Sequence, residues 1–132
     1  MELGSHSFFT DFRTMICRNK LYFETIGFQL IGRYPGTKKG RERLFTSWFG
    51  THPVVCAYIW SMFVRTNALI HPPAQRVLPE YLLMAMYFLK TYNTVDKGST
   101  DFGCDTKTYR QWTWYFVELI ANLDKQIVST EK

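Results

Sequence analysis

The sequence predicts an all-α protein: one small helical domain of about five helices that contains a helix-turn-helix. Three observations predict this class. Apolar residues recur at steps of three and four in several segments, which is the helical period. Gly and Pro stand at the ends of these segments, where helices stop and start. The 132 residues are 46% hydrophobic, which is enough for one core.

We expect a basic N-terminal segment over residues 1–43 and a helical domain over residues 44–132. The two are expected to form one compact unit. Phe12, Met15 and Ile16 have the spacing of an amphipathic helix around residues 10–17. Residues 22–31 fit either an extended arm or a weak helix. Residues 32–40 predict a loop because of their Gly and Pro content. They lack the order of a phosphate-binding loop.

Two helices are expected in the middle of the chain. Residues 41–49 place Leu44, Phe45, Trp48 and Phe49 on one face, and Gly50 suits a helix stop. Pro53–Arg65 is apolar on nearly every side, which predicts a buried core helix. An irregular connector is expected over residues 67–78, with a break at His71 because the residue before a proline avoids the helical region.

The helix-turn-helix is expected in residues 79–127. A strongly helix-forming run follows Pro79, and Thr94 can cap a short helix, Val95–Phe102, that Gly103 ends. Asp105 can cap the last helix, which begins at Thr106. Its apolar residues form one buried stripe: Tyr109, Trp112, Phe116, Leu119, Ile120, Leu123 and Ile127. Two helices joined by a short turn containing Gly have the arrangement of a helix-turn-helix.

The basic charge is concentrated near the N-terminus. The chain carries +5 overall, and residues 11–43 hold eight basic and three acidic side chains. Such a local excess indicates a polyanionic partner such as nucleic acid, and the alternative is a solvated basic loop. We predict that four of these residues contact DNA phosphates: Lys38, Lys39, Arg41 and Arg43. The alternative for the same four residues is a nuclear-import patch, which also needs only exposed cations.

The last helix has a polar front with the chemistry of a recognition helix. Lys107 and Arg110 can pair with guanine, and Gln111 can pair with adenine. Thr106 and Thr108, with the helix N-terminus, can hold a phosphate. An ordinary solvated helix face would carry the same residue types.

Several classes of site are not expected. Cys17, Cys56 and Cys104 lie far apart without paired spacing, and the three His are equally scattered, so we expect neither disulfides nor a metal site. No nucleophile-and-base pattern or pair of carboxylates indicates an enzyme, and no cofactor is expected. Apolar runs are too short for a membrane span, and we expect no secretory signal. The unpaired cysteines favour a reducing, intracellular compartment, and the predicted nucleic-acid partner favours the nucleus.

Three stretches resemble the region ahead of the catalytic domain in Harbinger-type DDE transposases. They are WFGT with PVVC, YLLMAMYFLKTY, and FG followed by KTYRQWTW, and the similarity covers roughly residues 40–127. The resemblance implies an all-helical domain that binds DNA near transposon ends, with Lys107, Arg110 and Gln111 facing the DNA. In that family three acidic residues of a following domain hold the catalytic metals, and this chain has no counterpart to them.

The expected function is therefore a non-catalytic, transposase-derived domain that binds duplex DNA through its last helix and its basic N-terminal segment. The alternative is a structural or protein-interaction subunit of a larger assembly. It would use a surplus aromatic surface including Phe8, Phe9, Trp114 and Tyr115, and would associate with a partner or with itself. A third hypothesis is a basic subunit that prefers RNA.

Overall fold

The computed structural model describes the backbone of residues 5–66 and 77–131, and the side chains of residues 13–66 and 77–123. These residues form six α helices and no strand, which confirms the all-α class. The helices are α1 (Ser5–Ile31), α2 (Lys38–Phe49), α3 (Pro53–Arg65), α4 (Pro79–Thr91), α5 (Val95–Phe102) and α6 (Thr106–Glu131). None of the described helices has the length and apolar character needed to cross a membrane.

The N-terminal helix is much longer than the sequence pattern predicts. α1 continues for 27 residues, so residues 22–31, for which the sequence leaves an arm and a weak helix open, are helical. Phe23 and Phe28 are buried and Leu30 packs against the core, and this burial outweighs the weak local helix propensity. The loop expected over residues 32–40 is shorter in the structure. α2 begins at Lys38, because the Thr37 hydroxyl accepts the N–H of Gly40 at 3.0 Å and caps the helix.

The third helix is not the fully buried helix that its composition predicts. Cys56, Ala57 and Trp60 face the core, whereas Val54 and Tyr58 are exposed. α1 supplies most of the packing on α3, and α4 makes a smaller contact with it. Most of the expected connector, residues 67–76, lies outside the described residues.

Aromatic rings join the helices into one core. α1 packs mainly on α3, α2 on α4, and α6 on both α4 and α5. Trp60 of α3 contacts Phe23 of α1 and Phe116 of α6, with ring centroids 6.3 and 6.1 Å apart. Trp48 of α2 stacks on Tyr87 of α4 at 5.5 Å. The core therefore runs from α1 through to α6 without a break.

The helix boundaries in the C-terminal half agree with those expected. α4 has Pro79 in its first turn, and the Thr94 hydroxyl accepts the Lys97 N–H at 3.1 Å at the start of α5. Gly103 ends α5 in the left-handed conformation, with a φ of 68°. In α6, Tyr109, Trp112 and Phe116 are buried, and the stripe continues through half-buried residues to Leu123. The side chain of Ile127 lies outside the described residues.

The contact between α5 and α6 is unusually close at Gly98. A Cβ atom added there would lie only 2.1 Å from the Tyr109 ring, which is 1% exposed. The Tyr109 hydroxyl donates to the Asn93 side chain at 2.9 Å, and the Tyr87 hydroxyl donates to Asp101 of α5 at 2.5 Å. These contacts fix α5, and with it the turn that precedes α6.

We predict that Gly98→Ala lowers the free energy of unfolding by about 1–3 kcal/mol, the usual cost of overpacking. The loss occurs even though alanine favours helix more than glycine does. Chemical denaturation followed by circular dichroism measures it. Gly36→Ala is the matched control, because a Cβ at Gly36 meets no atom within 4 Å. Equal stability of Gly98→Ala and the wild type would contradict the tight contact.

Candidate nucleic-acid interface

The start of α6 presents a polar face to solvent. Lys107 and Arg110 are exposed, and Thr106 beside them is also exposed. Tyr109 and Trp112, on the other side of the same turns, are buried and hold the helix against α4 and α5. Gln111 and Thr108 are half-buried. Of the three residues predicted to read bases, Lys107 and Arg110 are thus the more accessible.

Asp105 occupies the N-terminus of this helix. Its carboxylate accepts the Thr108 N–H at 2.7 Å, as the sequence predicts for a capping residue. Hydrogen bonds from the Thr108 hydroxyl and the Thr108 N–H lower the pKa of the Asp105 carboxyl, and the charge of Lys107 lowers it further. The Thr108 donors are therefore already occupied by the Asp105 carboxylate and are not free to bind a phosphate at this end of α6. Thr106 and Lys107 are better placed to contact it.

This cap predicts an acid-sensitive helix start. Because the pKa of Asp105 is lower in the folded chain than its ordinary 3.8, the cap stabilises the fold above that pH, and the effect fades as the pH falls further. Asp105→Ala should lower the melting temperature at pH 7, by an amount that shrinks between pH 5 and pH 2. Asp105→Asn should keep the cap and lose this pH dependence. Thermal melts of the three proteins across that range measure both effects.

The basic residues predicted in the N-terminal segment gather at the first turns of α2. Lys38, Lys39 and Arg43 are exposed. Arg41 is half-buried, because its guanidinium donates to the Pro35 carbonyl at 3.0 Å and lies over the Tyr34 ring, 4.9 Å from the centroid. Arg41 thus orders the loop before α2, a role that its charge alone does not indicate.

The predicted DNA-binding residues form two groups on two helices. One group lies at the start of α2 and the other at the start of α6, and both helices pack on α4. The sequence places 62 residues between Arg43 and Thr106, and the fold packs both of their helices on α4. A polyanion that contacted both groups would span α4.

Exposed aromatic rings form a further surface beside α6. Trp114 is 52% exposed and its ring centroid lies 5.4 Å from that of Phe88 on α4, which in turn lies 6.0 Å from Tyr92. Tyr92 is 76% exposed and ends α4 with a φ of 52°, a left-handed conformation that is rare for tyrosine. Tyr115 is half-buried, and the side chains of Phe8 and Phe9 lie outside the described residues.

Sequence reasoning missed two of these rings. Tyr34 and Tyr92 are the most exposed aromatic side chains of the described part, yet neither was a candidate residue. Tyr34 stands in a Gly/Pro loop between basic residues, outside the helical patterns on either side of it. An isolated ring in a polar loop is a signal that can identify such a residue.

The cysteines are all free, with Cys17 exposed, Cys56 buried and Cys104 half-buried. Burial raises the pKa of the Cys56 thiol to about 12. The pKa of the Cys104 thiol is also raised, mainly by burial and to a smaller extent by the negative charge of Asp105. Both sulfurs are therefore protonated at neutral pH. Within the described ranges, His, Cys, Asp and Glu side chains do not cluster in groups of three that would suit a metal ion.

Comparison with known proteins finds no family model, no curated protein and no solved structure that matches this chain. A functional assignment therefore depends on the residues and on their geometry.

Proposed function

We propose that this chain is a non-catalytic DNA-binding domain related to Harbinger-type transposases, and that it binds duplex DNA in the nucleus. The observation that carries the proposal is the front of α6: Lys107 and Arg110 are exposed on the first turns of a capped helix whose opposite side is buried. A recognition helix needs this combination, because its N-terminal residues must reach base edges while its back holds the fold. α5, the three-residue turn and α6 supply the corresponding helix pair.

The basic residues of α2 support the same function by adding affinity for the phosphate backbone. Lys38, Lys39 and Arg43 are exposed cations, and contacts between such cations and phosphates give affinity without sequence preference. Contacts from α6 would add the preference, since Arg110 can donate two hydrogen bonds to a guanine. The resemblance of residues 40–127 to the transposase region points to the same partner.

The two groups are separable by mutation. Arg110→Ala should relax the preference at one base pair and cost about 1–3 kcal/mol on the preferred site. Lys38→Ala should weaken binding to all duplexes alike and reduce the dependence of log K on log salt by about one. Selection from a random duplex library, followed by fluorescence anisotropy at two salt concentrations, measures both effects.

Glu118→Ala is the control for Arg110→Ala, since it truncates another exposed charged side chain on the same helix. It should leave base preference unchanged. Duplex binding that does not change between low and high salt would contradict the proposal, as would equal binding by wild type and the double variant Lys38→Ala/Arg110→Ala.

A second candidate function is a protein-interaction subunit, which the exposed rings of Trp114 and Tyr92 favour. Trp and Tyr are enriched at binding hot spots, and here they lie on either side of Phe88.

In that case the chain should elute from a sizing column as a stable oligomer, and Trp114→Ser should convert it to a monomer. The exposed Leu89→Ser variant is the control for the added hydroxyl. A monomeric wild type that binds duplex DNA would contradict this second function.

A further inference from the structure

Tyr34 lies between two adjacent depressions at the junction of α1 and α2. One is a polar cleft of about 160 Å³, whose charged lining comes from Lys20, Glu24, Lys38, Arg41 and Glu42. The other is a groove of about 410 Å³ with a more apolar lining of Leu21, Thr25, Phe28 and Gln29, together with Glu24. Tyr34 and Phe28 line both, so the two depressions share a wall.

The cleft carries a net positive charge. Its lining includes three cations and two carboxylates, which leaves a net charge of +1, and one pair of these charges, Lys20 and Glu24, lies 3.9 Å apart. Lys39 and Arg33 are exposed close by in the chain. An anion the size of a phosphate therefore finds an excess of positive charge here, next to further cations for its neighbours.

The groove offers an aromatic wall that is held in place. Tyr34 is 68% exposed, although Arg41 lies over its ring and the Phe28 ring meets it at 88° with centroids 5.2 Å apart. These two contacts fix the ring without burying it. Leu21, also in the groove, is 65% exposed. A ring that is ordered and accessible binds a planar partner with little loss of conformational entropy.

We propose that this junction binds an unpaired nucleotide of a single-stranded nucleic acid. The base stacks against Tyr34 in the groove, where the Gln29 amide can donate or accept a hydrogen bond at its edge. The Thr25 hydroxyl donates to the Leu21 carbonyl and can accept one from the base. The adjoining phosphate enters the cleft beside Lys38 and Lys20. A stacking ring beside a positively charged groove is the usual combination for single strands.

The charge and the shared wall favour a nucleic acid over a peptide, because one bound group must be planar and apolar while its neighbour is anionic. The inference rests on the proposed function only in that both use the basic start of α2.

The test measures binding of the full chain to dT10, rU10 and a 20-base-pair duplex by fluorescence anisotropy at low and moderate salt. Tyr34→Leu keeps the apolar bulk and removes the stacking face, and it should weaken dT10 binding by about five- to one-hundredfold. Tyr34→Phe should bind like the wild type, since stacking needs the ring and not the hydroxyl. If Tyr34→Leu weakens rU10 binding to a similar extent, the site accepts both DNA and RNA strands.

Two further arms sharpen the test. Tyr58→Leu makes the same substitution at an exposed tyrosine of α3 and should leave dT10 binding unchanged. Lys38→Gln should reduce the salt dependence of dT10 binding by roughly 0.7 in the slope of log K against log salt. Thymidine monophosphate should compete only at much higher concentration than dT10. Competition at equal nucleotide concentration would instead assign the site to free nucleotides and overturn the single-strand proposal.

The outcomes separate the two proposals. Duplex binding that needs Arg110, with dT10 binding indifferent to Tyr34→Leu, would overturn the nucleotide site and leave the proposed function intact. Binding of dT10 that needs Tyr34, without any duplex binding, would support the nucleotide site and refute duplex recognition. If the chain binds none of the three nucleic acids, both the nucleotide site and duplex recognition are refuted.

Discussion

The close packing of Gly98 on the Tyr109 ring is the constraint on which the start of α6 depends. Tyr109 touches three parts of the fold: Gly98 in α5, Phe102 at the end of α5, and Asn93 between α4 and α5. Successive residues of a helix are about 100° apart around its axis, so burial of Tyr109 places Arg110, the next residue, and Lys107, two residues earlier, on other sides of the helix. Both are exposed there, and the contacts of Tyr109 hold the helix that carries them.

Rings give this core its orientation as well as its apolar area. Tilted and edge-on pairs contribute about 0.5–1.5 kcal/mol each beyond the area they bury, and they favour particular angles between helices. Trp60 illustrates this, because it meets rings from α1 and α6 at once. The chain is 17% aromatic, and several of its rings are left exposed. The remaining rings, such as Tyr34, Tyr92 and Trp114, form the surfaces with binding potential.

Features set by local interactions could be predicted from the sequence, whereas those set by distant partners could not. The caps at Thr94 and Asp105 involve residues three positions away, so the pattern alone predicts them. The length of α1 depends on burial of Phe23 against Trp60, 37 positions later in the chain. The same holds for the site. Helical periodicity indicates that Arg110 is exposed, but the ordering of Tyr34 requires Phe28 and Arg41 from two different helices.

Under the proposed function, electrostatic attraction of the DNA and recognition of its base sequence would belong to different surfaces of the protein. The basic excess lies in residues 11–43, whereas at the start of α6 the cations Lys107 and Arg110 stand next to the carboxylate of Asp105. α4 connects the two surfaces, because Tyr87 stacks on Trp48 of α2 and donates to Asp101 of α5. A nucleic acid touching both would meet groups already fixed relative to one another. Binding then loses less conformational entropy than it would if a flexible linker joined the surfaces, so even a modest number of contacts can give useful affinity.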